Sequence, residues 1–317
     1  MTPAIAEGEL DGHPVWTLGA PGGELEAAFA VGAGMVGCSL RHRGDELLAQ
    51  RKGLDAYART GSTMGIPLLA PWANRLDGMG YRVAGRDVTL EESTPGLRLD
   101  PGGLPIHGVL GGSPEWELVD TGADADAARL SARLDFGART ELLDAFPFPH
   151  VLEQEVTLDE GGLSIATTLV AGTGSDVPVC FGYHPYLQLP GAPRQEWELT
   201  IPVRRRARLD DRGIPTGDSE PVRDQSGPLG DRTFDDLFDE LEEPARFVVA
   251  AAGRSLTVGF DHGYPVAQVY APAGSDFVCF EPMTAPTNAL VSGDRLTVVP
   301  AGEAYRARFT VAVASAG

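Results

Sequence analysis

Alternation with a period of two constrains this chain more than any other feature. In HVLEQEVTL, residues 150–158, Leu152, Val156 and Leu158 fall on one side of an extended backbone, and Glu153 and Glu155 on the other. DEGG then turns the chain, and LSIATTLV, residues 163–170, alternates again. Successive side chains of a strand point to opposite faces, so this spacing predicts an antiparallel hairpin with one buried face. The pattern returns in YRVAGRDVTL (81–90), in RFVVAAAGRSLTVGF (246–260) and in EAYRARFTVAVA (303–314), where Tyr305, Ala307, Phe309 and Val311 share a side. Glycine (40) and proline (25), spread along 317 residues, supply turns between many short strands. Helical spacing is confined to LDAYART (54–60) and TFDDLFDEL (233–241), the latter with Thr233 and Asp236 placed to cap its first turn. The stretch DDRGIPTGDSEPVRDQSGPLG (210–230) reads as a long irregular loop between strands, a lid or rim. With no repeat and no linker, the expectation is one all-β domain over residues 1–317, a large antiparallel β-sandwich.

Charge narrows the partners. Lys plus Arg number 25 against 45 Asp plus Glu, a formal net charge of −20. Such a surface repels phosphate backbones and anionic lipid, so neither nucleic acid nor a membrane is an expected partner. The one basic cluster, VRRRAR (203–208), reads as a solvated strand edge. Cys38, Cys180 and Cys279 are odd in number and far apart, which argues against a disulfide framework and a structural zinc site. The amino terminus lacks the basic and apolar regions of a signal peptide, and no apolar run approaches a bilayer span; the expectation is a soluble, cytoplasmic protein.

Two stretches place an ionisable side chain after an apolar run and directly before proline: His184 in CFGYHPYLQLP and Glu281 in FVCFEPMTAP. Such a position holds a side chain with little freedom, as acid–base work requires. Taken alone, His184 reads rather as a partly buried histidine satisfied by a backbone carbonyl; its likeness in setting to Glu281 shifts the balance. His107, in GGLPIHGVLGG, sits among glycines that allow close approach of backbone to ligand, or simply in a flexible loop. Asn74 and Arg75 end GIPLLAPWANR, where fixed donors beside Trp72 suit a polyol, or a turn with a solvated arginine. Asp235 in TFDDLF can accept hydrogen bonds from hydroxyls, or begin a helix. No GxSxG elbow, phosphate-cradling GxxxxGK[ST] loop or HExxH pair occurs. Two histidines and a glutamate leave a non-haem iron triad as a lesser alternative.

PLLAPWANRLDG, IHGV, FGYHPYLQL and FEPMTAP, in that order, resemble the aldose 1-epimerase (galactose mutarotase) family over residues 20 to 312. The resemblance implies a β-supersandwich and interconversion of the α and β anomers of a free aldose, a hexose by preference, without cofactor or metal. It implies Glu281 as general base, His184 as general acid and His107 as a second histidine near the ring oxygen. Arg75, with Asn74 before it, falls on the family's sugar-binding pair, and Asp235 or its neighbour Asp236 on a sugar-binding aspartate. HGV in place of HGG, and HPYLQL in place of HSYFNL, depart from many members and bear on the choice of sugar. An acid–base pair of this kind gives a bell-shaped pH–rate profile. The alternatives are a hexose-6-phosphate 1-epimerase, for which no cation cluster lies beside the motifs, and a sugar-binding or sensing module without chemistry. The protein is expected as monomer or homodimer.

Overall fold

The hairpin read from residues 150–170 forms in full. In the computed structural model, which describes residues 2–315, His150–Asp159 pairs with Gly162–Ala171 from His150 opposite Ala171 to Asp159 opposite Gly162. Leu152, Val156 and Leu158 are buried, and Glu153 and Glu155 are exposed. This hairpin lies within a nine-stranded antiparallel sheet. Arg254–His262 and Ala304–Ser315 flank it on one side, and Ala127–Asp135 and Glu117–Ala123 on the other. An eight-stranded sheet packs against it. Its order runs Pro215–Pro221, Val203–Leu209, Phe234–Leu241, Val266–Ala271, Val278–Met283, Gly182–Tyr183, Leu68–Leu69, and Tyr186–Leu187 also pairs with Val278–Met283.

Aromatic side chains fill the space between the two sheets. Tyr183 packs on Phe309 with ring centroids 4.9 Å apart, and Phe280 on Phe247 at 5.4 Å. The Tyr183 hydroxyl accepts a hydrogen bond from Gln154 Nε2 (2.8 Å) and shares one with Thr167 Oγ1 (2.6 Å), so that enclosed hydroxyl is satisfied. One contiguous apolar cluster runs from Leu18 to Val311. A five-stranded sheet, from Ala4–Leu10 to Asp45–Glu46, precedes these layers in the chain. Among the described residues no helix is long and apolar enough to cross a membrane.

Two expectations are corrected. LDAYART is helical, within Gly53–Thr60, but TFDDLFDEL is not: Phe234–Leu241 is a strand, and Thr233 caps nothing. Leu237 and Phe238 are both buried, because the sheet is covered on both faces there. Adjacent apolar residues mimic a short helix, and pairing with strands on either side overrides that local pattern. The segment 210–230 is likewise not irregular. Pro215–Pro221 returns against Val203–Leu209 as an edge hairpin, and Gly227–Pro228 pairs with Glu198–Thr200. An edge strand that buries none of its residues carries no apolar alternation to read. Across this hairpin Arg206 and Arg208 meet Glu220, as suits a solvated basic edge.

Candidate active site

Strand register builds the site. Gly182 opposite Met283, Tyr186 opposite Cys279 and Leu187 opposite Val278 belong to one continuous register, which places His184 across from Glu281. The ladder breaks there: His184 and Pro185 lie between two short strands, and the His184 N–H turns away to Pro67 O (3.2 Å). Glu281 does not end its strand, as its sequence setting had implied. It lies inside Val278–Met283, with Gln268 as its partner on the other side. Two residues along, Tyr186, Cys279, Tyr270 and Asp235 form the next rung. Positions two apart share a face. His184, Glu281, Gln268, Tyr186, Tyr270 and Asp235 accordingly line one cavity of about 380 Å³, on the side of the eight-stranded sheet away from the aromatic interior. That volume lies in the range of roughly 300–1,000 Å³ usual for small-molecule sites.

Glu281 Oε1 lies 3.2 Å from His184 Nε2, and both side chains are nearly inaccessible to water. Burial pushes the Glu281 carboxyl well above its ordinary range; nearby Asp235 adds to the rise and Arg75 opposes it. Burial likewise pushes the His184 imidazole well below 6.5, helped by His107 and Arg51. The contact is an ion pair only when its proton sits on the imidazole, and burial favours the alternative, a neutral carboxylic acid beside a neutral ring. Attraction at 3.2 Å works the other way. With two opposed effects acting on one short contact, the pair is best treated as one unit holding one proton. The ring of His184 stacks flat on Tyr186, centroids 4.2 Å apart and planes 9° off parallel, which fixes its orientation.

Loops cover the sheet and complete the cavity. Asn74 (φ +56°) and His107 (φ +65°) both adopt the left-handed conformation, uncommon outside glycine and enriched at functional sites. The Asn74 carbonyl accepts the His107 N–H at 2.8 Å, tying the two loops together. The His107 ring meets that of His184 edge to face at 5.5 Å. Burial, then Arg98, Arg75 and Arg51, lower its imidazole to about 3, so it is neutral at physiological pH. Arg75 Nε donates to Asp100 Oδ2 (2.7 Å) and its NH1 to Asn74 Oδ1 (3.3 Å). Gly213, at the tip of the 203–221 hairpin, approaches the Arg75 guanidinium, so that hairpin backs the site as a rim. Gly108, beside His107, has φ +67°, and a Cβ there would lie 2.0 Å from the Ala70 carbonyl oxygen. Gly108→Ala is expected to destabilise the fold by about 3 kcal/mol or more, read as a fall in the urea midpoint; a midpoint within error of wild type would refute this reading of the loop.

Six residues singled out in the sequence meet this cavity: Asn74, Arg75, His107, His184, Asp235 and Glu281 all line it. Asp236 does not; on the opposite face of its strand it pairs with Arg206 (3.2 Å). Asp235 accepts from Gln268 Nε2 at 2.7 Å, and burial raises its carboxyl. Trp72 is not the neighbouring ring; it is fully buried in the core, and Tyr186 and Tyr270 supply the aromatic wall. Sequence reading missed Gln268, Tyr270, Arg51 and Arg98. Gln268 and Tyr270 alternate within VAQVYA, and strand pairing with Glu281 and Asp235 was the only signal available. Four buried polar atoms on lining residues have no hydrogen-bond partner: Glu281 Oε2, Gln268 Oε1, His184 Nδ1 and His107 Nδ1. Buried polar atoms are rarely left unpaired, and a hydroxylated ligand would satisfy these. With one shared proton beside unfilled donor and acceptor positions, the arrangement can move a proton onto one oxygen of a bound molecule and off another.

A family model described as aldose 1-epimerase matches residues 14–312. The chain is 22% identical over 254 residues to an uncharacterized protein of Escherichia coli (strain K12), covering 77% of each. Among solved structures it is similar to a galactose mutarotase-like protein from Clostridium acetobutylicum, at 17% identity and TM-score 0.85 over 99% of both chains. It is similar also to a galactose 1-epimerase from Lactobacillus acidophilus NCFM, at 16% identity and TM-score 0.77 over 100% of both chains. At these identities the structural likeness bears on architecture, which is galactose mutarotase-like.

Proposed function

Because the chain belongs to the aldose 1-epimerase family, we propose that it interconverts the α and β anomers of an aldose by opening and reclosing the sugar ring in this cavity. The observation that carries the reading is the contact of Glu281 with His184, 3.2 Å apart, with unpartnered atoms on both residues. The hydroxyl oxygen and the ring oxygen of a cyclic aldose are bonded to the same carbon, so two groups this close can reach both. In the form with the proton on His184, Glu281 takes the proton of the C1 hydroxyl while His184 gives its proton to the ring oxygen. The C1–O5 bond breaks and a C1 carbonyl forms. The pair is then neutral, with the proton on Glu281. Rotation about C1–C2 presents the other face of the carbonyl. His184 recovers the proton of the O5 hydroxyl as it attacks, and Glu281 returns its proton to O1. Each proton transfer contributes typically 10²–10⁴-fold, roughly 3–5 kcal/mol. Neutral His107, Asn74, Arg75 and Asp235 hold the remaining hydroxyls.

Exchange spectroscopy by NMR tests this. With glucose or galactose at anomeric equilibrium, the protein is expected to speed α–β exchange, and exchange in ¹⁸O-water should leave the C1 oxygen in place. Sugar binding without faster exchange would leave a sensing module; enzyme-dependent entry of ¹⁸O from solvent at C1 would mean that the exocyclic bond breaks instead.

The pH profile follows from the pair. Activity needs one proton on it. A second proton makes a buried cation near Arg51 and Arg98, so the acid limb is expected below the ordinary imidazole value of 6.5. Loss of the last proton leaves a buried carboxylate, so the alkaline limb is expected well above the ordinary carboxyl value of 4.5. The bell is thus widened at both ends. An acid limb centred at or above pH 6.5 would contradict the shared proton.

A further inference from the structure

The cavity of this strongly acidic chain has a basic wall. Lys52, the only lysine in the sequence, lies there with Arg51 and Arg98, and none of the three has a carboxylate within 4.0 Å among the described residues. Arg75, by contrast, is committed to Asp100 at 2.7 Å. Arg51 is held in place without being neutralised: its guanidinium lies over the rings of Tyr186 (4.9 Å) and Phe277 (5.4 Å), and its NH1 donates to the Tyr186 hydroxyl at 2.9 Å. Arg98 NH1 donates to Gly61 O at 2.6 Å, leaving most of its donors free. Gly61, Ser62 and Thr63 run between the two, and Thr63 Oγ1 meets the same Tyr186 hydroxyl at 2.7 Å. Like charges gathered on one wall repel one another, and no ion pair among the described residues offsets them. The sequence hid this cluster because Arg98 is far from Arg51 and Lys52 along the chain.

The wall's position relative to the catalytic pair indicates which part of a sugar it faces. The Tyr186 hydroxyl lies 3.3 Å from His184 Nε2 and also bonds Arg51, so the guanidinium adjoins the histidine of the pair through one shared hydroxyl. On the proposed reading, His184 serves the ring oxygen, and the carbon beyond that oxygen is C5, which carries C6. We propose that the cavity takes an aldose whose C6 bears an oxyanion, held by Arg51, Lys52 and Arg98. This inference rests on the ring-opening reading and assigns its substrate class. Guanidinium groups recognise phosphate, sulfonate and carboxylate through the same paired N–H donors, so the shared chemistry is the oxyanion.

The test compares kcat/KM for anomer exchange by NMR on glucose, glucose 6-phosphate, glucose carrying a 6-sulfonate, and glucuronate. At least one anionic sugar is expected to exceed glucose by about tenfold or more, and whichever does so names the group. That advantage is expected to shrink as salt is added, and to fall about tenfold in Arg98→Met or, should that variant fold poorly, in exposed Lys52→Met. Glucose equal to or better than all three anionic sugars overturns the inference and leaves the ring-opening reading standing, as does an advantage that survives both substitutions. No accelerated exchange on any of the four sugars overturns the ring-opening reading, and this inference with it.

Discussion

Glu281→Gln is expected to abolish anomer exchange and to leave thermal unfolding unchanged or slightly higher. Glutamine keeps the shape of the side chain in Val278–Met283 and can still meet His184, but it can neither take a proton from C1 nor hold one for return. The loss is expected to be about 10³-fold or more, the combined share of the proton it removes and the proton it restores. Stability moves otherwise because the native carboxyl is costly where it stands. It is 2% exposed, its Oε2 has no partner, and burial opposes its charged form. An amide carries no charge to desolvate, so Tm is expected to stay level or rise by about 1–3 °C. A purely structural Glu281 would give the reverse, a clear fall in Tm with activity lost only in proportion to unfolded protein.

His184→Gln is the second large effect, a loss of about 10²–10⁴-fold. The informative comparison is the double variant. If Glu281 and His184 hold one proton between them, neither can cycle without the other. His184→Gln/Glu281→Gln is then expected to be no slower than the worse single variant, far from the product of the two losses. Multiplying losses would mean two independent groups and would remove the shared proton from the account. Because His184 stacks on Tyr186 and packs edge-on against His107, circular dichroism should accompany the kinetics to establish that each variant folds.

Alternation made the sheets legible because a strand with one face in a core must repeat every two residues, as Leu152, Val156 and Leu158 do. It failed at Phe234–Leu241, buried on both faces, and at Pro215–Pro221, which buries none of its residues, because neither has one wet and one dry side. His184 and Glu281 were legible as side chains before proline, yet the reason they meet was not. That reason is a register shared by two strands nearly a hundred residues apart in sequence. Asp235 could be told from Asp236 only once the strand was placed, since alternate residues face opposite ways. Arg51 and Arg98 could not be read at all: each sits on an exposed or half-exposed loop with no pattern around it, and only the folding of two distant loops onto one wall joins them.

The most direct test of ring opening by this pair is the rate at which optical rotation decays when crystalline α-galactose or its C6-anionic counterpart is dissolved with the protein at pH 7. Wild type is expected to hasten the decay well beyond buffer, and folded Glu281→Gln and His184→Gln to return it to the buffer rate. A folded Glu281→Gln that keeps wild-type acceleration would show that some other group opens the ring.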